Sequence, residues 1–152
     1  MLTDAFSEEA YAKVSSSIGS FNTLRNNVKF STGLLNDHVE FSGRLSRITS
    51  DGYVDRASSK LDAYFLQGVY KDDNTLVKAL LFGGHEVTYQ AWDGVTAEQL
   101  ENDRTFNPVG MYTDEDGNVQ FYDKEVDNYK QDHFQLHWYE TLSPQWTAHL
   151  AL

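Results

Sequence analysis

The residues whose types and spacing could do chemistry are five histidines, a set of loop carboxylates and a group of aromatic and cationic side chains. His133 and His137 stand four apart in an alternating stretch. At ~3.4 Å per residue a strand holds them about 14 Å apart on one face. Zinc is better served by helical i,i+4 spacing or by adjacent strand positions, so these two read as residues of a wet, polar face. His85 and His149 read as isolated, with the same assignment. Asp51, Asp55, Asp93, Glu98, Glu101, Asp103, Asp114, Glu115 and Asp116 fall in two long polar stretches. Asp114-Glu115-Asp116-Gly117-Asn118 lacks the D-x-[DN]-x-[DN]-G spacing and trailing glutamate of a calcium loop. Asp116-Gly117 is a turn dipeptide, which makes the segment a solvated loop or hairpin turn. Ser15-Ser16-Ser17 and Gly19-Ser20 lack the G-x-S-x-G elbow. No nucleophile–base set stands out, so enzyme activity, a metal and a cofactor are not expected. Tyr89, Trp92, Arg104, Phe106, Tyr112 and Tyr122 are the candidates for ligand recognition, because rings and guanidinium groups hold large amphipathic solutes by stacking and ion pairing. Packing of loop against loop explains the same residues equally well.

Composition limits the function classes. A net charge of −11 with no basic cluster argues against a nucleic-acid partner. The absence of cysteine excludes a disulfide framework and a thiolate metal site. A membrane-spanning helix needs ~20 apolar residues, and the longest strong run is Ala79-Leu80-Leu81-Phe82. Met1-Leu2-Thr3-Asp4 lacks the basic start and apolar block of a secretory signal.

The elements that must position these residues are strands. Residues 23–34 put Leu24, Val28, Phe30 and Leu34 on one face and Arg25, Asn27, Lys29 and Ser31 on the other. Val39, Phe41, Gly43 and Leu45 alternate with Glu40, Ser42, Arg44 and Ser46. Tyr64, Leu66, Gly68 and Tyr70 share a side of residues 61–70. Residues 75–90 form a long strand with Leu76, Leu80 and Phe82 expected on the apolar face. Residues 133–138 alternate, and Trp146, Ala148, Leu150 and Leu152 form the apolar face of a last strand. A weaker strand covers residues 10–20. The fold class is therefore all-β, a curved antiparallel up-and-down meander of about seven strands.

Three features point to a membrane. Tight connections at Asn36-Asp37, Asp72-Asn74 and Ser143-Gln145 alternate with longer ones at residues 49–59 and 93–128, as the turns and loops of outer-membrane barrels do. Residues 23–34 and 75–90 also reach the ~9–11 residues that span lipid at a tilt. Tyr70, Tyr89, Trp92, Tyr129, Trp138, Tyr139 and Trp146 lie near strand ends, where an interfacial aromatic girdle would sit. Core aromatics or hairpin pairs would give the same placement. A soluble β-sandwich that binds carbohydrate is the rival reading. It buries Leu24, Phe30, Phe41, Leu80, Phe82 and Leu136 against a second sheet, whereas a barrel leaves them bare on a single convex layer.

Several blocks resemble a known family. They are Gly19-Ser20-Phe21-Asn22-Thr23, Gly33-Leu34-Leu35-Asn36-Asp37-His38, the run from Gly43-Arg44-Leu45-Ser46-Arg47 to Asp55-Arg56-Ala57-Ser58-Ser59, Thr88-Tyr89-Gln90-Ala91-Trp92-Asp93-Gly94-Val95, Asn102-Asp103-Arg104-Thr105-Phe106-Asn107, and Glu125-Val126-Asp127-Asn128-Tyr129-Lys130-Gln131-Asp132-His133. In this order they are similar to TonB-dependent outer-membrane receptors of the Bacteroidota type, over nearly the whole chain. The resemblance implies a barrel of about 22 strands closed by a plug domain. It implies uptake of a large nutrient, such as an iron–siderophore complex or cobalamin, powered through a TonB complex. Residues 1–152 would be a partial barrel, from strand one to about strand seven, with Met1-Leu2-Thr3-Asp4 just after the plug; the plug and the remaining strands would be absent. Such a piece cannot close and is expected neither to transport nor to insert stably by itself. Arg25, Lys29, Arg44, His133 and His137 would face the lumen, where the cations meet solute, plug carboxylates or neighbouring acids such as Glu40. The outer face would meet outer-membrane lipid, and the acidic loops would approach the divalent cations that cross-link lipopolysaccharide.

Overall fold

The computed structural model describes residues 6–89 and 91–152. One antiparallel sheet of seven strands dominates, in the order in which the chain supplies them. Its members are β1 (Ala10–Gly19), β2 (Thr23–Thr32), β3 (Val39–Ser50), β4 (Ser59–Lys71), β5 (Thr75–Tyr89), β8 (Val126–Ser143) and β9 (Trp146–Ala151). Between β5 and β8 the chain forms a short helix, α1 (Ala97–Asn102), and a small hairpin of β6 (Met111–Thr113) and β7 (Val119–Phe121). Thr96 opens α1 with a reciprocal cap: the Gln99 N–H donates to its hydroxyl at 3.2 Å, and the Thr96 N–H donates to the Gln99 side chain at 2.8 Å. No helix among the described residues is long and apolar enough to cross a membrane, which says nothing of strands.

Directly opposed residues share a face, so the register sorts every side chain. One face carries successive cross-strand rows: Val14, Val28, Leu45, Tyr64, Gly83 and Asp132; then Ala12, Phe30, Gly43, Leu66, Leu81 and Phe134; then Phe41, Gly68, Ala79 and Leu136; then Val39, Tyr70, Val77, Trp138 and Leu150. Asp132 is the one charged residue in these rows, and it accepts a hydrogen bond from the Tyr64 hydroxyl at 2.7 Å. A polar row follows on the loop side, Asn26, Arg47, Asp62, His85 and Lys130. The opposite face carries Lys13, Arg25, Lys29, Glu40, Arg44, Lys78 and Glu86.

Burial runs against the usual sense. The apolar face is exposed, with Val14 at 75%, Phe134 at 67% and Phe41 at 53%. Apart from Gly43, which lies beside the Phe30 ring on the apolar face, the buried residues of the sheet are on the polar face: Val69, Leu80, Ser31, Glu40, Gln67 and Lys78. A single sheet curled toward its polar side produces this, because side chains converge on the inside of a curve and splay on the outside. The buried carboxylate of Glu40 accepts from the Ser31 hydroxyl at 2.7 Å, the Ser42 hydroxyl at 3.2 Å and the Gln67 amide at 3.4 Å. The Ser7 N–H adds a fourth contact at 3.5 Å, and Lys71 Nζ lies 5.3 Å from the ring of Phe6, so the segment before β1 crosses this face near the tight turns.

Three expectations need correction. Leu76, Leu80 and Phe82 lie on the polar, occluded face; Val77, Ala79 and Leu81 take the exposed one. The run Ala79-Leu80-Leu81-Phe82 is apolar on both faces, so alternation cannot orient it. The last long strand begins at Val126, not near His133, because Asp127 to Asp132 is polar on both faces and shows no period. The third strand runs on to Ser50. The tight turns stand as read: Asn36 and Asp37 have φ of 50° and 63°, the left-handed pair of a hairpin turn. The expected placement of Met1 to Asp4, and the end of β5 at Gln90, lie outside the described residues.

Candidate functional site

The two long loops meet at one end of the sheet. Asn107, buried, holds them together: its side-chain amide donates to the Asp55 carbonyl at 2.9 Å and the Arg56 carbonyl at 3.4 Å, and its side-chain oxygen accepts from the Val109 N–H at 3.1 Å. Asp55 N–H donates to the Thr105 carbonyl at 2.7 Å. Arg56 donates to the Asn107 carbonyl and lies 3.7 Å over the Phe121 ring. The β1–β2 turn joins the same group through Phe21 and Tyr53, edge to face at 5.5 Å.

Of the six ligand candidates, three come together. Tyr112 and Tyr122 stack at 4.5 Å, and the Tyr89 hydroxyl donates to the Tyr122 carbonyl at 2.6 Å. Phe106 is half-buried beside Asn107 in the chain. Trp92 is 75% exposed and Arg104 is exposed; neither joins the tyrosine group. The tyrosines thus tie the hairpin to the end of β5, while Tyr112 and Tyr122, like Trp92 and Arg104, stay exposed.

Two loop carboxylates are held below their ordinary range. In Asp114 the main cause is the Asn118 N–H, which donates to the carboxylate at 2.8 Å inside the β6–β7 turn. In Asp103 it is the Thr105 hydroxyl at 2.7 Å, followed by the Thr105 N–H. The Asp114 carboxylate is therefore engaged as turn glue, in line with the hairpin reading of the Asp116-Gly117 dipeptide. Among the described residues no group of three or more potential ligands could hold a metal ion.

Arg25, Lys29, Arg44, His133 and His137 all lie on the polar face. Lys29, Arg44 and His133 belong to one cross-strand row with Phe65 and Phe82 between them. Arg25 lies four residues to one side of this row and His137 four to the other. None of Arg25, Lys29 and Arg44 forms an ion pair with Glu40; that carboxylate is taken up by serine and glutamine donors.

Sequence reasoning missed several partners. His149 is not isolated: it stacks on Tyr139 at 4.1 Å and its Nε2 is 3.4 Å from His137 Nδ1. His85 Nε2 is 2.7 Å from the Asn128 side-chain oxygen. Strand register supplies these pairs, and no local spacing announces them. Arg56 and Asn107 stood only as members of the family-like blocks, and Phe121 only in a polar stretch; nothing in the sequence paired them.

Compared with protein-family models, curated proteins and solved structures, the chain matches none.

Proposed function

We propose that this chain is the first part of a transmembrane β-barrel from a TonB-dependent outer-membrane receptor. Its intact parent imports a large solute, such as an iron–siderophore complex or cobalamin, with no enzymatic step. In that reading the exposed apolar rows face outer-membrane lipid, the polar face lines the lumen and its plug, and the joined loops face outward. The observation that carries it is the inverted amphipathicity: the apolar face is bare while Glu40, Gln67 and Lys78 are buried on the other. Water penalises such a bare face at ~25 cal/mol per Å²; hydrocarbon does not. Tyr70 and Trp138 at the turn side, and Tyr64 at the loop side, border the apolar rows as interfacial aromatics do. A β-sandwich needs a second layer ~10 Å away, and among the described residues the second sheet is only the two-stranded β6–β7 hairpin of three residues per strand, joined to the end of β5 through Tyr89.

The chain has no cysteine, so single cysteines report cleanly. Spin labels at Leu45 and Leu81, and at Asn27 and Ser46 on the other face, are compared in phospholipid micelles. Labels at the first pair are expected to be relaxed by dissolved oxygen and those at the second by a water-soluble nickel chelate. Equal or reversed accessibility removes the membrane assignment.

A further inference from the structure

On the polar face, β4 and β5 carry an apolar recess. Ala63 and Gly84 are directly opposed on β4 and β5, and both lie on this face. Ala63 is exposed, and the atoms nearest to a methyl group added at Gly84 belong to its own ladder, Asp62 O at 3.1 Å and Ala63 Cβ at 3.8 Å. The row on the turn side, Arg44, Phe65, Phe82 and His133, forms one wall. Within it Phe82 and His133 stack at 4.9 Å and Phe65 lies 6.4 Å from Phe82. Leu61, Glu86 and Tyr129 form the other wall. The groove encloses about 570 Å³, within the ~300–1,000 Å³ range of small-molecule sites.

Its charge is lopsided. Arg44 lines its β3 edge, and Lys29 stands beside Arg44 on β2, just outside the lining; both are exposed, with no carboxylate in salt-bridge reach among the described residues. Glu86 lies on β5, two strands from Arg44 and four residues further along the ladder, hence about 17 Å away at ~4.8 Å per strand and ~3.4 Å per residue, and its carboxylate already accepts from the Thr88 hydroxyl at 3.1 Å. The cationic end is thus on β2–β3 and the flat apolar floor on β4–β5. We infer that this groove binds a planar aromatic anion, its rings over Ala63 and Gly84 against Phe65 and Phe82, its acid group on Arg44 and Lys29. Guanidinium and carboxylate match as a planar fork, and ring edges on ring faces supply the rest. The inference deepens the solute-uptake reading by naming a chemical class and a place, but the site depends only on the five strands that build it.

The probe is 2-naphthoate, with the neutral 2-naphthamide as control, titrated into the full chain in micelles where circular dichroism shows β-structure. Binding is followed by saturation-transfer NMR. Saturable naphthoate binding is expected, weakened at least fivefold by Arg44→Gln and abolished by Ala63→Phe, which fills the floor without touching charge. Binding of naphthamide should not respond to Arg44→Gln. No saturable binding, or naphthoate binding indifferent to both substitutions, overturns the inference. The spin-label pattern is independent: labels that keep their accessibility while naphthoate fails to bind leave the barrel reading standing, and the converse leaves the groove standing without it.

Discussion

Phe30 stands directly across the ladder from Gly43, and a methyl group on Gly43 would meet the tip of its ring at 2.7 Å. The arrangement repeats on the same exposed face. Phe41 covers Gly68, whose added methyl group would touch the ring at 3.5 Å, and Tyr64 reaches over Gly83 to Asp132. Each glycine leaves room for a ring to lie flat on the ladder, which shields backbone hydrogen bonds and pins register.

The three glycines should differ in tolerance. At Gly43 the clash falls on the ends of Phe30 and Leu66, which can swing. At Gly83 it falls on the Gln131 carbonyl and on Asp132 at 2.6 Å. Gly83→Ala is therefore expected to destabilise the sheet by about 1–3 kcal/mol, as overpacking does, and Gly43→Ala by less. Urea unfolding in micelles ranks them; equal midpoints would contradict the argument.

Charge placed on the two faces should act oppositely. Leu81→Arg enters the middle of the apolar rows; if these face lipid as proposed, a cation there is expected to cost the ~2–4 kcal/mol of a bilayer midplane. Ser46→Arg enters the polar face and should leave stability nearly unchanged. Both are read as the denaturant midpoint in phospholipid micelles.

Asn107→Ala should release the loops from each other. The substitution strips partners from the Asp55 carbonyl and the Val109 N–H, a loss of ~1–3 kcal/mol for buried groups left unpaired. Amide exchange at Asp55 and Val109 is expected to accelerate while the sheet amides stay protected. Phe121→Ala, which removes only the ring under Arg56, should have the smaller effect.

Acid should loosen the long loop between β5 and β8 before the sheet. Asp114 and Asp103 have folded-state values below the ordinary 3.8. A carboxylate depressed in this way contributes stability that is fully present above the unfolded value and lost as pH falls through the lower, folded one. Exchange at Gly117 and Asn118 should therefore rise on acidification below about 4, and Asp114→Asn should blunt that dependence. A rise already at neutral pH would point to another group.

Alternation made β1 to β4 legible, because Leu24, Phe30, Phe41 and Leu45 alternate with serines, asparagines and cations. It failed at Leu80 and Phe82, where both faces are apolar, and at residues 127–132, where both are polar. The lone wall of Phe65 and Phe82 on a polar face was hidden for the same reason. Glu40 looked like any strand acid; its burial beneath donors from Ser31, Ser42, Gln67 and Ser7 comes from neighbouring strands and the crossing segment, which its own strand does not announce. The loop joint rests on contacts between residues about fifty apart in the chain, which no local pattern encodes.

Nearest-neighbour order in the sheet also shapes how it assembles. Every strand pairs with the one before it, so hairpins can zip in succession with little search. The exception is the closure of β8 onto β5 across residues 90–125, which costs about 2 kcal/mol more chain entropy than a three-residue turn at ~0.6 kcal/mol per doubling. Helix α1, the small hairpin and the Asn107 clasp shorten that excursion in advance, so a loop that looks like decoration serves as a scaffold for the slowest pairing.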